Sequence, residues 1–145
     1  MEIIDDIRGG DRFYIREKLS NSQTLHLEMA MYTWTDSTIH WNIALSVFSK
    51  RKHAAANEAA VRMTGKAPME TVVKGLKAFK MLEAKVLESY PHYNNIIFCS
   101  WIDTRRRDAY YKILSRYGYN WGQIDGFKCI MKVFERRDDD EGMLE

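Results

Sequence analysis

Cysteine is scarce here: Cys99 and Cys129 are the only two in 145 residues. That excludes a disulfide-stapled miniprotein. No Cys/His spacing has the form of a metal site, so no metal is expected. Both cysteines lie in apolar, strand-like runs. They are expected to be free buried thiols in a reducing cytoplasm, with a single disulfide between them as the alternative. Long apolar runs are missing too. No segment approaches the roughly 18 residues of a membrane span, so no membrane partner is expected. The start, Met1 to Asp6, is acidic and unlike a signal peptide, and a cytoplasmic location is expected. Charge of one sign is also lacking. A net charge of +2 is too small to imply a nucleic-acid partner. There is no internal repeat and no linker.

What is present suits one soluble domain over residues 1–137 with an acidic, disordered tail over 138–145. Hydrophobic residues make up 46% and charged residues 29%, and a chain of 145 can bury a core without staples. After the Gly9-Gly10 break, residues 11–20 fit a short helix with Phe13, Ile15 and Leu19 as its apolar positions. Two alternating runs follow, Leu25 to Met31 and Ile39 to Val47, on either side of Thr35-Asp36-Ser37. Period-two alternation about a polar turn predicts an antiparallel hairpin, with Leu27 near Leu45 and Met29 near Ile43. One face is core. The other carries His26, Glu28, Tyr32, His40 and Asn42.

Basic residues 49–53 end the second strand, and 54–61 read as a short alanine-rich helix. The turn 64–68 opens a long helix, with Pro68 at its first position. Its apolar stripe is Val72, Leu76, Phe79, Leu82, Val86 and Leu87, and Pro91 ends it. Residues 96–102 are apolar on both faces, as a covered central strand requires. Asp103 or Thr104 caps the next helix, whose apolar face is Ala109, Tyr110, Ile113, Leu114 and Tyr117. Gly118 sits where a left-handed cap belongs. Phe127, Cys129, Met131 and Val133 alternate in a last strand. The expected fold is α/β (α+β in some schemes), a mixed, mostly antiparallel sheet flanked by helices.

Arg62-Met63-Thr64-Gly65-Lys66-Ala67 fits the R/Q-x-x-G-x-G/A turn of acyl-CoA-dependent N-acetyltransferases. With the order of elements over residues 24–135, this chain resembles the GNAT N-acetyltransferase family. From Arg62 to Phe134 it is also similar to small GNAT-like virion or assembly proteins of short-tailed phages. The resemblance implies a GNAT-like domain. It also implies acetyl-CoA as cofactor, with its pyrophosphate on the backbone of Thr64, Gly65, Lys66 and Ala67 and with Arg62 at the motif's first position. A helix start offers free N–H donors and a positive dipole end, and glycine admits the phosphates closely. The family's second helix, N-x-x-A-x-x-L-Y-x-x-x-G-F, falls on Asp108 to Tyr119. Asp108 takes the asparagine position, and Leu114 takes that of the family's tyrosine acid.

Two function classes stay open. The first is acyl-CoA-dependent N-acyl transfer to a small-molecule or protein amine. Glu28 or His40 would be the base, because N-acetylation needs a proton acceptor near neutrality, and Tyr111 the acid. The second is a catalytically inactive GNAT-fold phage virion, assembly or host-interaction protein, with a second copy or a virion protein as partner, in the host cytoplasm or the virion. The arginine triplet 105–107 opposes the dipole of the helix it opens. Arg51, Lys52 and the triplet support only a weaker, nucleic-acid-contacting option. Of Trp34, Trp41, Trp101 and Trp121, at least one is expected at a pocket or interface.

Overall fold

The computed structural model describes residues 1–6, 11–49 and 67–137, and for Ala67 and Pro68 the backbone alone. The strands are β1 (Ile4–Asp5), β2 (Arg12–Lys18), β3 (Thr24–Trp34), β4 (Thr38–Phe48), β5 (Asn94–Cys99), β6 (Asn120–Ile124) and β7 (Phe127–Phe134). Helix α1 (Ala67–Ser89) lies between β4 and β5, and α2 (Thr104–Leu114) between β5 and β6. The described strands form one mixed sheet in the order β1-β2-β3-β4-β5-β7-β6. β4 pairs parallel with β5 from Thr38↔Asn94 to Asn42↔Phe98. The β1–β2, β2–β3, β5–β7 and β6–β7 pairs are antiparallel. The expected helix at 54–61, the turn residues 62–66, Arg51, Lys52 and the tail 138–145 lie outside the described residues.

The chain divides into two compact units, Met1–Ala30 with Ala44–Lys85 and Met31–Ile43 with Val86–Glu145. In the first, the expected helix over 11–20 is a strand. Phe13 and Ile15 are buried while Arg12, Tyr14 and Arg16 are half-buried or exposed. Their spacing is that of alternate strand positions, and β2 pairs with β3 from Arg12↔Ala30 to Lys18↔Thr24. Against Phe13, Ile15, Leu25, Leu27 and Met29, the helix buries Thr71, Ala78, Phe79 and Leu82. Val72, expected on this stripe, is 43% exposed. The packed face includes Gly75, where an added Cβ would stand 3.7 Å from Leu25, an ordinary van der Waals contact. Glu70 accepts the Ser20 N–H, and Lys74 reaches the Lys18 carbonyl.

In the second unit, the Thr35 N–H donates to the Thr38 carbonyl at 2.9 Å. The β3–β4 turn is therefore centred between Asp36 and Ser37, one step from the expected symmetry about Asp36. β5 ends at Cys99, earlier than the apolar run suggested, and Ile102 is 73% exposed. Asp103 caps α2, accepting the Arg106 N–H at 2.8 Å. Tyr119 N–H reaches the Leu114 carbonyl and Gly118 N–H that of Ser115, a Schellman closure with Gly118 at φ 88° as its left-handed residue. Ala109, expected on the buried face of α2, is exposed, whereas Leu114 is buried. β6 was not expected. It forms a hairpin with β7 through Asp125 (φ 49°) and Gly126 (φ 84°), the two positive dihedrals of a type I′ turn.

Cys99 pairs with Ile130, so Cys129 lies one step along β7 and points to the opposite face. Both thiols are free and buried. Burial, with Cys129 nearby, pushes Cys99 up to about 12. Phe98, Ile124 and Cys129 pack with Ile96, Phe127 and Met131, and the Tyr32 ring stands edge-on to Phe98 and Phe127.

A buried amide holds the parallel pair. Trp41 Nε1–H donates to Asn95 Oδ1 at 3.0 Å, and Asn95 Nδ2 donates to the Tyr90 and Tyr93 carbonyls. Trp41 and Asn95 are buried to within 1%. Replacing Asn95→Leu removes the acceptor of the Trp41 indole N–H and one donor each from the Tyr90 and Tyr93 carbonyls. A loss of about 1–3 kcal/mol is expected from breaking these buried hydrogen bonds. Urea unfolding should show it as a lower midpoint with an unchanged slope.

Candidate functional site

Each expected catalytic residue has a different setting. Glu28 lies on β3 and His26 two residues before it, on the same face. Arg16 Nε–H donates to His26 Nδ1 at 3.0 Å, which leaves the His26 proton on Nε2, facing Glu28 Oε1 at 2.9 Å. Arg12 stands 3.8 Å from Glu28 and 3.3 Å from Asp6. Tyr14 underlies the cluster, with both guanidiniums 5.2 Å from its ring and His26 at 5.1 Å. The hydrogen bond with His26 is the main cause that holds Glu28 below its ordinary value; burial works against it, and His26, Arg12 and Arg16 add favourable charge. A carboxylate kept ionised by such partners is a poor proton acceptor for an amine.

His40 sits on β4, and its Nδ1 meets Thr33 Oγ1 at 2.7 Å. This contact orients the ring, and among the described residues Nε2 has no hydrogen bond. Two residues on, Asn42 occupies the same face and ends the parallel pairing at Phe98. Its Oδ1 is buried without a hydrogen-bond partner among the described residues. Such an oxygen costs about 1–3 kcal/mol unless a donor reaches it. His40 and Asn42 thus place an imidazole with an unengaged Nε2 and an unmet hydrogen-bond acceptor on alternate positions of one strand.

Tyr111 is placed differently. Its ring stacks flat on Trp121, with centroids 4.3 Å apart and planes 8° from parallel. Trp101 meets Trp121 edge-on at 5.8 Å. The Tyr111 hydroxyl donates to Asn120 Oδ1 at a long 3.5 Å, and the Trp121 N–H donates to the same oxygen at 2.8 Å. Trp121 is 48% exposed. This is a surface aromatic cluster, and the phenol faces an amide. Leu114, at the family's tyrosine position, is buried.

Of the expected cofactor residues, Arg62, Thr64, Gly65 and Lys66 lie outside the described residues, and Ala67 is the first residue of α1. Asp108 is tied to Arg107 Nε at 2.9 Å on α2. Among the described residues no group of three or more His, Cys, Asp or Glu could hold a metal, and no helix is long and apolar enough to cross a membrane. Sequence reasoning missed the Arg12–Arg16–His26 network and the Tyr111–Trp121 stack. The alternation of Phe13 and Ile15 and the Asp125-Gly126 pair were the available signals for the strands that build them.

Because the folded-state pKa of Glu28 is depressed, its contribution to stability is present above its ordinary value of 4.5 and is lost as pH falls through the folded value. Glu28→Gln should therefore lower stability at neutral pH and flatten the loss below about pH 5. Melting temperatures of both proteins across that range check this.

Compared with protein-family models, curated proteins and solved structures, this chain matches none of them.

Proposed function

We propose that this chain is a GNAT-like, acyl-CoA-dependent N-acyltransferase in which His40 is the base. The observation that supports this reading best is the sheet order β1-β2-β3-β4-β5-β7-β6 with α1 between the strands of the parallel pair. The phosphate-turn sequence stands directly before that helix. In the proposed arrangement, CoA supplies an activated acyl group. The sequence Thr64, Gly65, Lys66 and Ala67 supports this reading because it fits the pyrophosphate turn and helix starts hold anions. Asn42 Oδ1, at the last β4–β5 pair, accepts a hydrogen bond from an amide N–H of the ligand. The acceptor amine attacks the thioester carbon, and the C–S bond breaks. His40 Nε2 takes the amine proton. Glu28, engaged by His26 and Arg12, and Tyr111, held on Trp121, are given no acid–base role. The departing thiolate then draws its proton from solvent.

A second reading, a GNAT-fold assembly or host-interaction protein without catalysis, is favoured by Leu114 at the acid position and by the exposed aromatic cluster. Acetyl-CoA and a panel of polyamines and lysine peptides distinguish the two. The first reading expects acetyl-CoA to raise the melting temperature and thiol release to depend on amine. His40→Gln should slow release by about 10²–10⁴-fold, and Tyr111→Phe should leave it unchanged. A raised melting temperature with no release from any amine supports the second reading. No thermal shift and no release removes acyl-CoA from the account.

A further inference from the structure

The Trp121 ring is an aromatic platform held from one side. Tyr111 covers one of its faces, with centroids 4.3 Å apart and planes 8° from parallel, and Trp101 meets it edge-on at 5.8 Å. Trp121 is still 48% exposed. A ring so held and so exposed presents its other face to a flat partner. The strand beneath it is fixed too. The two-residue turn makes Ile124↔Phe127 and Gly122↔Cys129 hydrogen-bonded pairs of the hairpin, so the Trp121 N–H points out from the sheet edge. Asn120 Oδ1 accepts that N–H at 2.8 Å and the Tyr111 hydroxyl at 3.5 Å. One side chain thus ties the strand and the stacking ring. It also occupies an outward donor that an added peptide strand would need.

Cations accompany the ring. From Asp103 to Phe134 the sequence has seven Lys and Arg against three Asp, an excess that the net charge of +2 for the whole chain conceals. Gln123 lies opposite Lys128 and Trp121 opposite Ile130, which puts Lys128 diagonal to Trp121 on one face, within reach for a long side chain. Lys128 is exposed and has no ion pair among the described residues. The helix that supplies Tyr111 adds more positive charge. Its first turn has no acidic residue and carries Arg105, Arg106 and Arg107, which its own dipole disfavours. Asp103 and Asp108 engage Arg106 and Arg107. Arg105 is exposed and has no ion pair among the described residues. Helix stability does not account for this triplet, whereas a polyanionic partner does.

We infer that this surface binds single-stranded nucleic acid, with a base stacked on the open face of Trp121 and backbone phosphates on Lys128 and Arg105. An aromatic ring takes any unpaired base, because every base has a π-face, and cations beside it follow the phosphates. A duplex keeps its base faces in its own stack and offers the ring nothing. An acidic peptide satisfies the cations but leaves the stacking face unused, and strand addition meets the occupied Trp121 N–H. This binding needs neither acyl-CoA nor the turn before α1, so it goes beyond acyl transfer and stands apart from it.

Fluorescence anisotropy of a labelled oligothymidylate, titrated with the intact protein at low salt, tests this. Saturable binding is expected, with tryptophan emission quenched as a base stacks and with affinity falling as salt rises. Trp121→Ala should weaken binding about tenfold and remove most of the quench, while Trp121→Phe should keep most of the affinity. Lys128→Ala should weaken binding and lower the salt slope by about one. Duplex DNA and polyglutamate should compete poorly. No binding at low salt overturns the inference, as does polyglutamate competing as well as the oligonucleotide, or an affinity unchanged by Trp121→Ala. If Trp121→Ala fails to fold, the emission of the unmutated protein decides: binding without a quench overturns it.

Discussion

The side chain of Asn95 is the tie on which the parallel pair depends. Its oxygen takes the Trp41 N–H from β4, and its nitrogen closes on the carbonyls of Tyr90 and Tyr93, just after α1 ends. A parallel pair needs a long crossover, here through α1, and the return must meet the first strand in one register. A buried amide with donor and acceptor both used discriminates among registers, because a slip of one residue would orphan every group in the set. The Tyr90 ring, 5.5 Å from Trp41, packs against the same point. From that register follow the alignment of Asn42 with Phe98 and the position of His40 two residues earlier.

Much of this was legible in the sequence where local signals agreed. The β3–β4 hairpin, α1, β5, α2 and β7 follow from alternation, Pro91, Asp103 and Gly118, each a residue whose physics acts within a few positions. The misreadings came where period and context competed. Phe13, Ile15 and Leu19 fit a helix stripe loosely, but pairing with β3 made their odd spacing a strand. β6 exposes Asn120, Trp121 and Gln123 and buries only Ile124, so it carries little hydrophobic pattern. On α1, Val72 has the right phase for the stripe, but the buried face runs through Thr71, Ala78, Phe79 and Leu82 instead.

Those misread strands also bring partners to the expected site residues. Glu28 and His40 were visible as polar residues on one face of a hairpin. The partner that lowers Glu28 most, His26, lies on β3 itself, and Arg12 and Arg16 add smaller favourable charge from β2. The group that immobilises Tyr111, Trp121, comes from β6. Side-chain chemistry can be read residue by residue, but its availability depends on partners brought in by other strands. His40 keeps a free ring nitrogen because its own partner, Thr33, lies across the hairpin and engages only Nδ1.

The proposal to be tested is that this chain binds acyl-CoA. Amide hydrogen exchange with and without CoA tests it most directly, since bound phosphate and ligand amides must protect the groups they contact. The account predicts slowed exchange confined to residues 62–69 and to the stretch of β4 around Asn42. Unchanged exchange in both, or protection only elsewhere, would contradict it.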